Sequence, residues 1–264
     1  MFALRRSLST FVLSFCVSVA AAQQVPTAQP TYDVVSIHPN NSLSSSTHMS
    51  TDPGVLAFTN VTLKQMVAYA YGIRENLVEG LPGWAESAHF DVSAKVVDPD
   101  MAALKAMTSD QRASMLIPVL AERFGAKVHR ETKTLPVFDL VLLKGALKFT
   151  DVGDTKPSNM GAGSINTRFL EMKATGIPIS SLVQWLSRQL DKTVVDKTGL
   201  SSKYDLELKF TPDNARMNGA ALEPTDQAPN ILTALPEQLG LKLVASKGPV
   251  TILVVDQIKP PTAN

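Results

Sequence analysis

The sequence predicts an α+β fold built from two tandem units, each ordered strand, helix, strand, helix, strand, strand. Three observations carry this reading. An ordered set of landmarks recurs at offsets of 113 to 116 residues. Each copy switches between the two-residue period of a strand and the 3.6-residue period of a helix. In each copy the second helix runs into a glycine, Gly125 or Gly240, a natural stop because glycine accepts positive φ. Such units put their helices on one face of a small, mainly antiparallel sheet.

The elements follow in order. A strand at Tyr32–Ile37 precedes the first unit, has no clear counterpart before the second, and is expected to pad a sheet edge. Leu56 opens a short alternating run that passes into a helix marked by Leu63, Met66, Val67 and Ala70. In the second unit the run from Leu170 leads to a helix marked by Ile179, Leu182, Val183 and Leu186. Phe90-Asp91 and Tyr204-Asp205 then open the alternating strands Phe90–Val96 and Tyr204–Phe210. The second helices contain Pro118 and Pro236, and an interior proline costs roughly 3 kcal/mol, so these helices kink there or begin later. Apolar strands from Pro136 and from Pro249 close the units.

The first 22 residues have the form of an export signal. Arg5 and Arg6 precede an apolar run from Leu8 to Val19, too short to span a bilayer, and Ala20 to Ala22 offer a small-residue cleavage site. The expected organisation is a signal peptide at 1–22, a first lobe with its leading strand at 23–147, a linker at 148–166, a second lobe at 167–259 and a tail at 260–264. Cleavage removes two arginines, no acid and Cys16, the chain's one cysteine. The net charge falls from +1 to −1. The expected location is secreted or periplasmic, with no membrane span after cleavage. A chain so nearly neutral carries no electrostatic footprint for nucleic acid. Three polar stretches, 40–53, 145–166 and 211–229, read as loops, and the latter two are long enough to be mobile or functional.

Motifs for chemistry are sparse. The histidines, His38, His48, His89 and His129, form no H-x-x-x-H or H-E-x-x-H pattern, and no phosphate-cradling or nucleophile-elbow motif occurs. The sequence calls for no catalytic residue, metal or cofactor. Asp196-Lys197-Thr198-Gly199 resembles the phosphorylation motif of P-type ion pumps over four residues only. It reads as a turn in which Asp and Thr side chains bond the nearby backbone. Trp84 follows a Pro-Gly turn, where it can pack on the core beside Phe90 or stand as a ligand platform. Tyr69 and Trp185 occupy matching positions and read as packing residues.

Several segments together carry a resemblance: Tyr32 to Asn40, Leu63 to Gly72, Gly83-Trp84 with Phe90-Asp91, Ala121 to Phe124 with His129 to Thr132, Val194 to Leu200 with Tyr204-Asp205, and Gln238 to Leu243 with Leu253 to Asp256. They resemble a secreted family expanded in soil acidobacteria and known as a domain of unknown function. Ser202 departs from the glycine usual in that family's turn before Tyr-Asp. Some members look fused to membrane metallopeptidases of the beta-lactam-sensor type, which implies an extracytoplasmic sensing or binding module. The resemblance brings no catalytic residue with it. The unit also resembles, in element order alone, the short N-terminal domains of secretins and TonB-dependent receptors.

The functional expectation is an exported module that binds an envelope protein or a small ligand, more in keeping with a non-enzyme than an enzyme. The expected site is a groove between the lobes, bordered by Gly80–Phe90 and Asp196–Tyr204, with Trp84, His89, Asp196, Lys197 and Tyr204 as candidate contacts. The alternatives are an envelope hydrolase assembled from loops around His38, His48 and His129, and a structural protein that pairs through a sheet edge.

Overall fold

The computed structural model describes residues 30–261 apart from 43, 45, 146, 166–168 and 213–227. The signal-peptide expectation and most of the 211–229 loop lie outside the described residues.

The described residues open with strands β1 (Val34–Asn40), β2 (His48–Asp52) and β3 (Val55–Thr62), then helix α1 (Leu63–Ala70). Strand β4 (Val78–Glu79), helix α2 (Gly83–Ser87) and strand β5 (His89–Lys95) follow. Helices α3 (Met101–Ala106), α4 (Ser109–Ser114) and α5 (Leu116–Phe124) lead into the long strand β6 (Lys127–Leu142). The second half comprises β7 (Thr150–Asp151), β8 (Asn159–Ile165), β9 (Phe169–Pro178), α6 (Ile179–Gln189), β10 (Val194–Asp196), β11 (Lys203–Phe210), α7 (Ile231–Ala234) and β12 (Leu241–Gln257).

These strands make three four-stranded sheets in an α+β arrangement. One outer sheet is ordered β1-β5-β3-β2, the other β7-β11-β9-β8, and a central sheet runs β10-β6-β12-β4. The outer sheets are antiparallel throughout. Alternation decides which face each strand buries: Leu56, Phe58 and Phe90, Val92, Ala94 point inward in the first, Met172, Ala174 and Leu206, Leu208, Phe210 in the second. The leading strand lies on an edge, as expected. Its place in the second outer sheet is taken by β7, two residues long and too short to show a period.

One expectation is corrected here. Residues 148–166 are not a free linker, because β7 pairs with β11 and β8 with β9. The halves are joined through shared strands. β6 and β12 pair antiparallel along Lys127 to Leu142, and each half sends a short strand across: β4 runs parallel to β12, and β10 parallel to β6. Leu253 and Val255 at one end of the ribbon enter the first core, and Leu140 and Leu241 at the other end enter the second.

The proline conflict is resolved at both sites. α5 starts at Leu116, so Pro118 lies in the first turn, where no intrahelical N–H bond is lost. Around Pro236 the chain adopts a π-helical turn, Leu235–Leu239, and Lys148 Nζ reaches the carbonyls of Pro236 and Glu237. Gly125 and Gly240 end their helices at φ 60° and 68°.

Both outer sheets contain the same device, and it explains the Phe-Asp and Tyr-Asp pairs. β3 bulges between Phe58 and Val61, with Asn60 at φ 57°; β9 bulges opposite Tyr204 and Leu206, with Gly176 at φ 59°. The Asn60 N–H donates to Asp91 Oδ1 at 2.9 Å, and the Gly176 N–H donates to Asp205 Oδ1 at 2.8 Å. An N–H freed from the ladder by a bulge thus finds a carboxylate. The amide of Asn40, with the Asn60 N–H, holds the Asp91 carboxyl below its ordinary range. Lys156, with the Gly176 N–H, does the same for Asp205. A carboxyl depressed in the fold contributes stability that is present above its unfolded pKa, about 3.9, and lost as pH falls through the folded value. We therefore expect the melting temperature to drop on acidification below about pH 4, and Asp91→Asn with Asp205→Asn to flatten that drop. A double variant with an unchanged acid limb in a calorimetric pH series would contradict this assignment.

Candidate functional site

An open cleft of about 1340 Å³ lies between α1 and α6. Its floor is the middle of β12, Pro249 to Thr251. One wall is α1 with Lys64, Gln65, Ala68 and Tyr69; the opposite wall is α6 with Val183, Gln184, Ser187 and Arg188. The segment from Gly72 to Leu77 closes one side, and Ser109, Asp110 and Arg112 of α4 contribute with Met49 and Thr51 of β2.

The geometry follows from local sequence. α1 starts with a capping box in which Thr62 and Gln65 each bond the other's backbone N–H, so its first turn is fixed. Its apolar stripe is buried as predicted, through Leu63, Met66, Val67 and Ala70. In α6, Ile179, Leu182 and Leu186 are buried, but Val183 is only half-buried and faces the cleft.

One side chain ties the walls together. Arg74, just after α1, donates from Nη1 to the Ser187 carbonyl at 3.2 Å and from Nη2 to Thr193 Oγ1 at 2.6 Å. Asn76 donates to the Asp191 carbonyl at 2.8 Å. A cation thus sits at the C-terminal end of α6, where carbonyls lack intrahelical partners. Partial burial lowers the Arg74 pKa while nearby Asp191 opposes that. Ser187 Oγ also accepts the Val194 N–H, which locks β10 to the same point.

Around the rim, Lys64 pairs with Glu86 at 2.7 Å, and Arg112 is held by the Met107 carbonyl and Ser109 Oγ. Burial raises the Tyr69 pKa and pushes Tyr32 up to about 12, with Tyr69 adding to the latter. Tyr69 therefore presents a neutral hydroxyl, bonded to Thr51, at the α4 end of the cleft. Gln184 and Arg188 are exposed on the α6 wall. The cleft thus offers hydrogen-bond donors, both signs of charge and an apolar strip. Among the described residues its lining holds no histidine.

The five residues singled out from the sequence lie elsewhere. Trp84 packs half-buried against the first core at α2. His89 is half-buried at the start of β5. Tyr204 is a core residue at 2 % exposure, edge-to-face with Phe149 at 5.2 Å, because the inward phase of β11 claims it. Asp196 and Lys197 are exposed at the predicted turn, where Asp196 Oδ1 accepts from the Thr198 backbone and hydroxyl and Gly199 takes φ 74°. None of the five lines the cleft. Trp185, read as packing, is buried against Phe210.

The histidines do not converge. His38 and His48 lie on opposite edges of one outer sheet, and His129 sits on the central ribbon bonded to Asp256 at 2.9 Å. Among the described residues no group of three His, Cys, Asp or Glu could hold a metal. The structure does not bring together His38, His48 and His129, around which the hydrolase alternative was drawn. The residue the sequence reading missed is Arg74. Its signal was a lone arginine after the glycine that ends α1, opposite a serine on α6, and neither is conspicuous alone.

The fold and cleft define a two-halved α+β protein with an interhelical groove on a shared sheet. Residues 64–258 match the family described as "Protein of unknown function (DUF3738)", and the chain belongs to that family. No curated protein and no solved structure matches it. Among the described residues no helix is long and apolar enough to cross a membrane.

Proposed function

We propose that this chain is an exported, extracytoplasmic binding module whose ligand lies in the cleft between α1 and α6. The observation that carries the reading is the open, two-walled cleft, with the exposed Gln184 and Arg188 on one wall. Its volume exceeds the roughly 300–1000 Å³ of ordinary small-molecule pockets, which favours a segment of a larger envelope molecule over a metabolite. The corresponding orders of the two outer sheets support a tandem repeat, with the cleft formed between matching helices.

Gln184→Trp fills the cleft from an exposed position. Affinity capture from the native envelope should then lose species that the unsubstituted protein enriches, by about tenfold or more. Equal capture by both proteins would place the binding surface outside the cleft. Export through residues 1–22 rests on the apolar run and the Ala20 to Ala22 site. The mass of the exported protein should correspond to a chain starting at Gln23, and a retained leader would contradict this.

A further inference from the structure

Among the described residues the three sheets have six edge strands, and five of these carry protection. β4, β7 and β10 are two or three residues long. β1 contains Pro39, and its Val35 carbonyl accepts a hydrogen bond from Arg123 Nη1 at 3.2 Å. β2 is five residues long and bears His48 and Asp52. β8 is seven residues long with no charge and no proline. Proteins guard open edges with short strands, charge, proline or bulges, and β8 has none of these. Its glycines are not demanded by the fold. Neither Gly161 nor Gly163 has positive φ, and a Cβ on either would meet nothing within 4 Å. Glycine weakens a strand interior and commonly marks close approach of another backbone.

We propose that β8 pairs antiparallel with β8 of a second copy of this chain, centred on Ala162. Charge order on the adjoining strands selects this occupant. Gly161 lies opposite Lys173 and Gly163 opposite Glu171; on the next strand Glu207 faces Lys173 and Lys209 faces Glu171. Cross-strand partners share a face. In the pairing about Ala162, Gly161 of one copy meets Gly163 of the other. One row across the joined sheets then reads Glu207, Lys173, Gly161 and, in the second copy, Gly163, Glu171, Lys209. Lys173 and the second copy's Glu171 stand about 14 Å apart at the backbone, three strand spacings, with two residues between them that have no side chain. Their side chains can extend toward each other over that bare strip. The two-fold axis repeats the row, so opposite charges face each other twice and like charges nowhere in it. Lys173 is 61 % exposed, held loosely at 3.3 Å from Glu171 and 3.5 Å from Glu207. A foreign strand would have to reproduce this order, whereas a second copy carries it already. The result is one eight-stranded sheet, closed by symmetry.

Cysteine cross-linking reads the register directly. Cys16 is the chain's one cysteine, so the full chain with Cys16→Ser is a clean background. Ala162→Cys places two sulfurs opposite each other, at the roughly 4.5–5.5 Å Cα separation a disulfide accepts. Mild oxidation should convert this variant to covalent dimer, while Gly161→Cys, whose partner is Gly163, stays largely monomeric at the same concentration. Equal cross-linking of both variants, or of neither, would overturn the proposal. In sedimentation equilibrium the unsubstituted chain should dimerise with concentration. Ala162→Lys should weaken that dimer about fivefold or more by setting like charges face to face. A chain monomeric at every concentration, or a dimer indifferent to Ala162→Lys, would equally overturn it.

Discussion

Among the described glycines, Gly80→Ala should be the most damaging alanine substitution. Gly80 follows β4, at φ 81°, where the first half reaches across to β12. A Cβ there would lie 2.6 Å from the Val255 carbonyl oxygen and 3.3 Å from the Val255 nitrogen. Both neighbours are backbone in a paired strand, so neither can turn aside as a side chain would. The left-handed conformation alone costs an L-residue about 1–2 kcal/mol, and displacing β4 from β12 adds to that. Gly72 and Gly199 also have positive φ, but a Cβ on either meets nothing within 4 Å. Alanine at those positions should therefore cost only the conformational part. Urea denaturation of the three variants should rank Gly80→Ala well beyond the other two, by at least about 2 kcal/mol in all. Equal losses for all three would mean that the β4–β12 junction does not bear on stability.

Arg74→Ala should loosen the cleft. The guanidinium serves two acceptors from the second half, the Ser187 carbonyl and Thr193 Oγ1. Hydrogen bonds from a charged group are worth about 1.5–3 kcal/mol where a partner is left buried. We expect a loss of about 2–3 kcal/mol. Arg74→Lys should recover only part of it, because a point charge cannot span both acceptors as the planar fork does. Spin labels at Lys64 and Arg188, one on each wall, should show a broadened distance distribution in Arg74→Ala. A destabilised variant with an unchanged distribution would reduce Arg74 to a stability role with no hold on the cleft.

The sequence and the structure agree where periodicity is strong. The α1 stripe, the glycine stops and the phases of β5 and β11 were all legible, because each depends on local pattern and burial on one face. What the pattern could not show was pairing across the halves. β4 and β7 are two residues long, and β8 alternates too weakly to read as a strand, so residues 148–166 looked like a linker. The Asp91 and Asp205 carboxylates were visible as motif letters, but their work is defined by bulges on a different strand. Val183 fits the apolar period of α6 and was read as core, yet the cleft opens at that turn. The candidate contacts lie outside the cleft for a related reason. Tyr204 belongs to the buried phase of β11, while Asp196 and Lys197 belong to a turn that satisfies itself locally.

The central claim is that ligand enters between α1 and α6. Site-specific photo-crosslinking in the native envelope measures this most directly, with one probe at Gln184 in the cleft and another at Lys197 on the exposed turn. The cleft account predicts a discrete adduct from position 184 that competes away with unlabelled protein, and none from position 197. Adducts from position 197 alone, or from neither position, would contradict it.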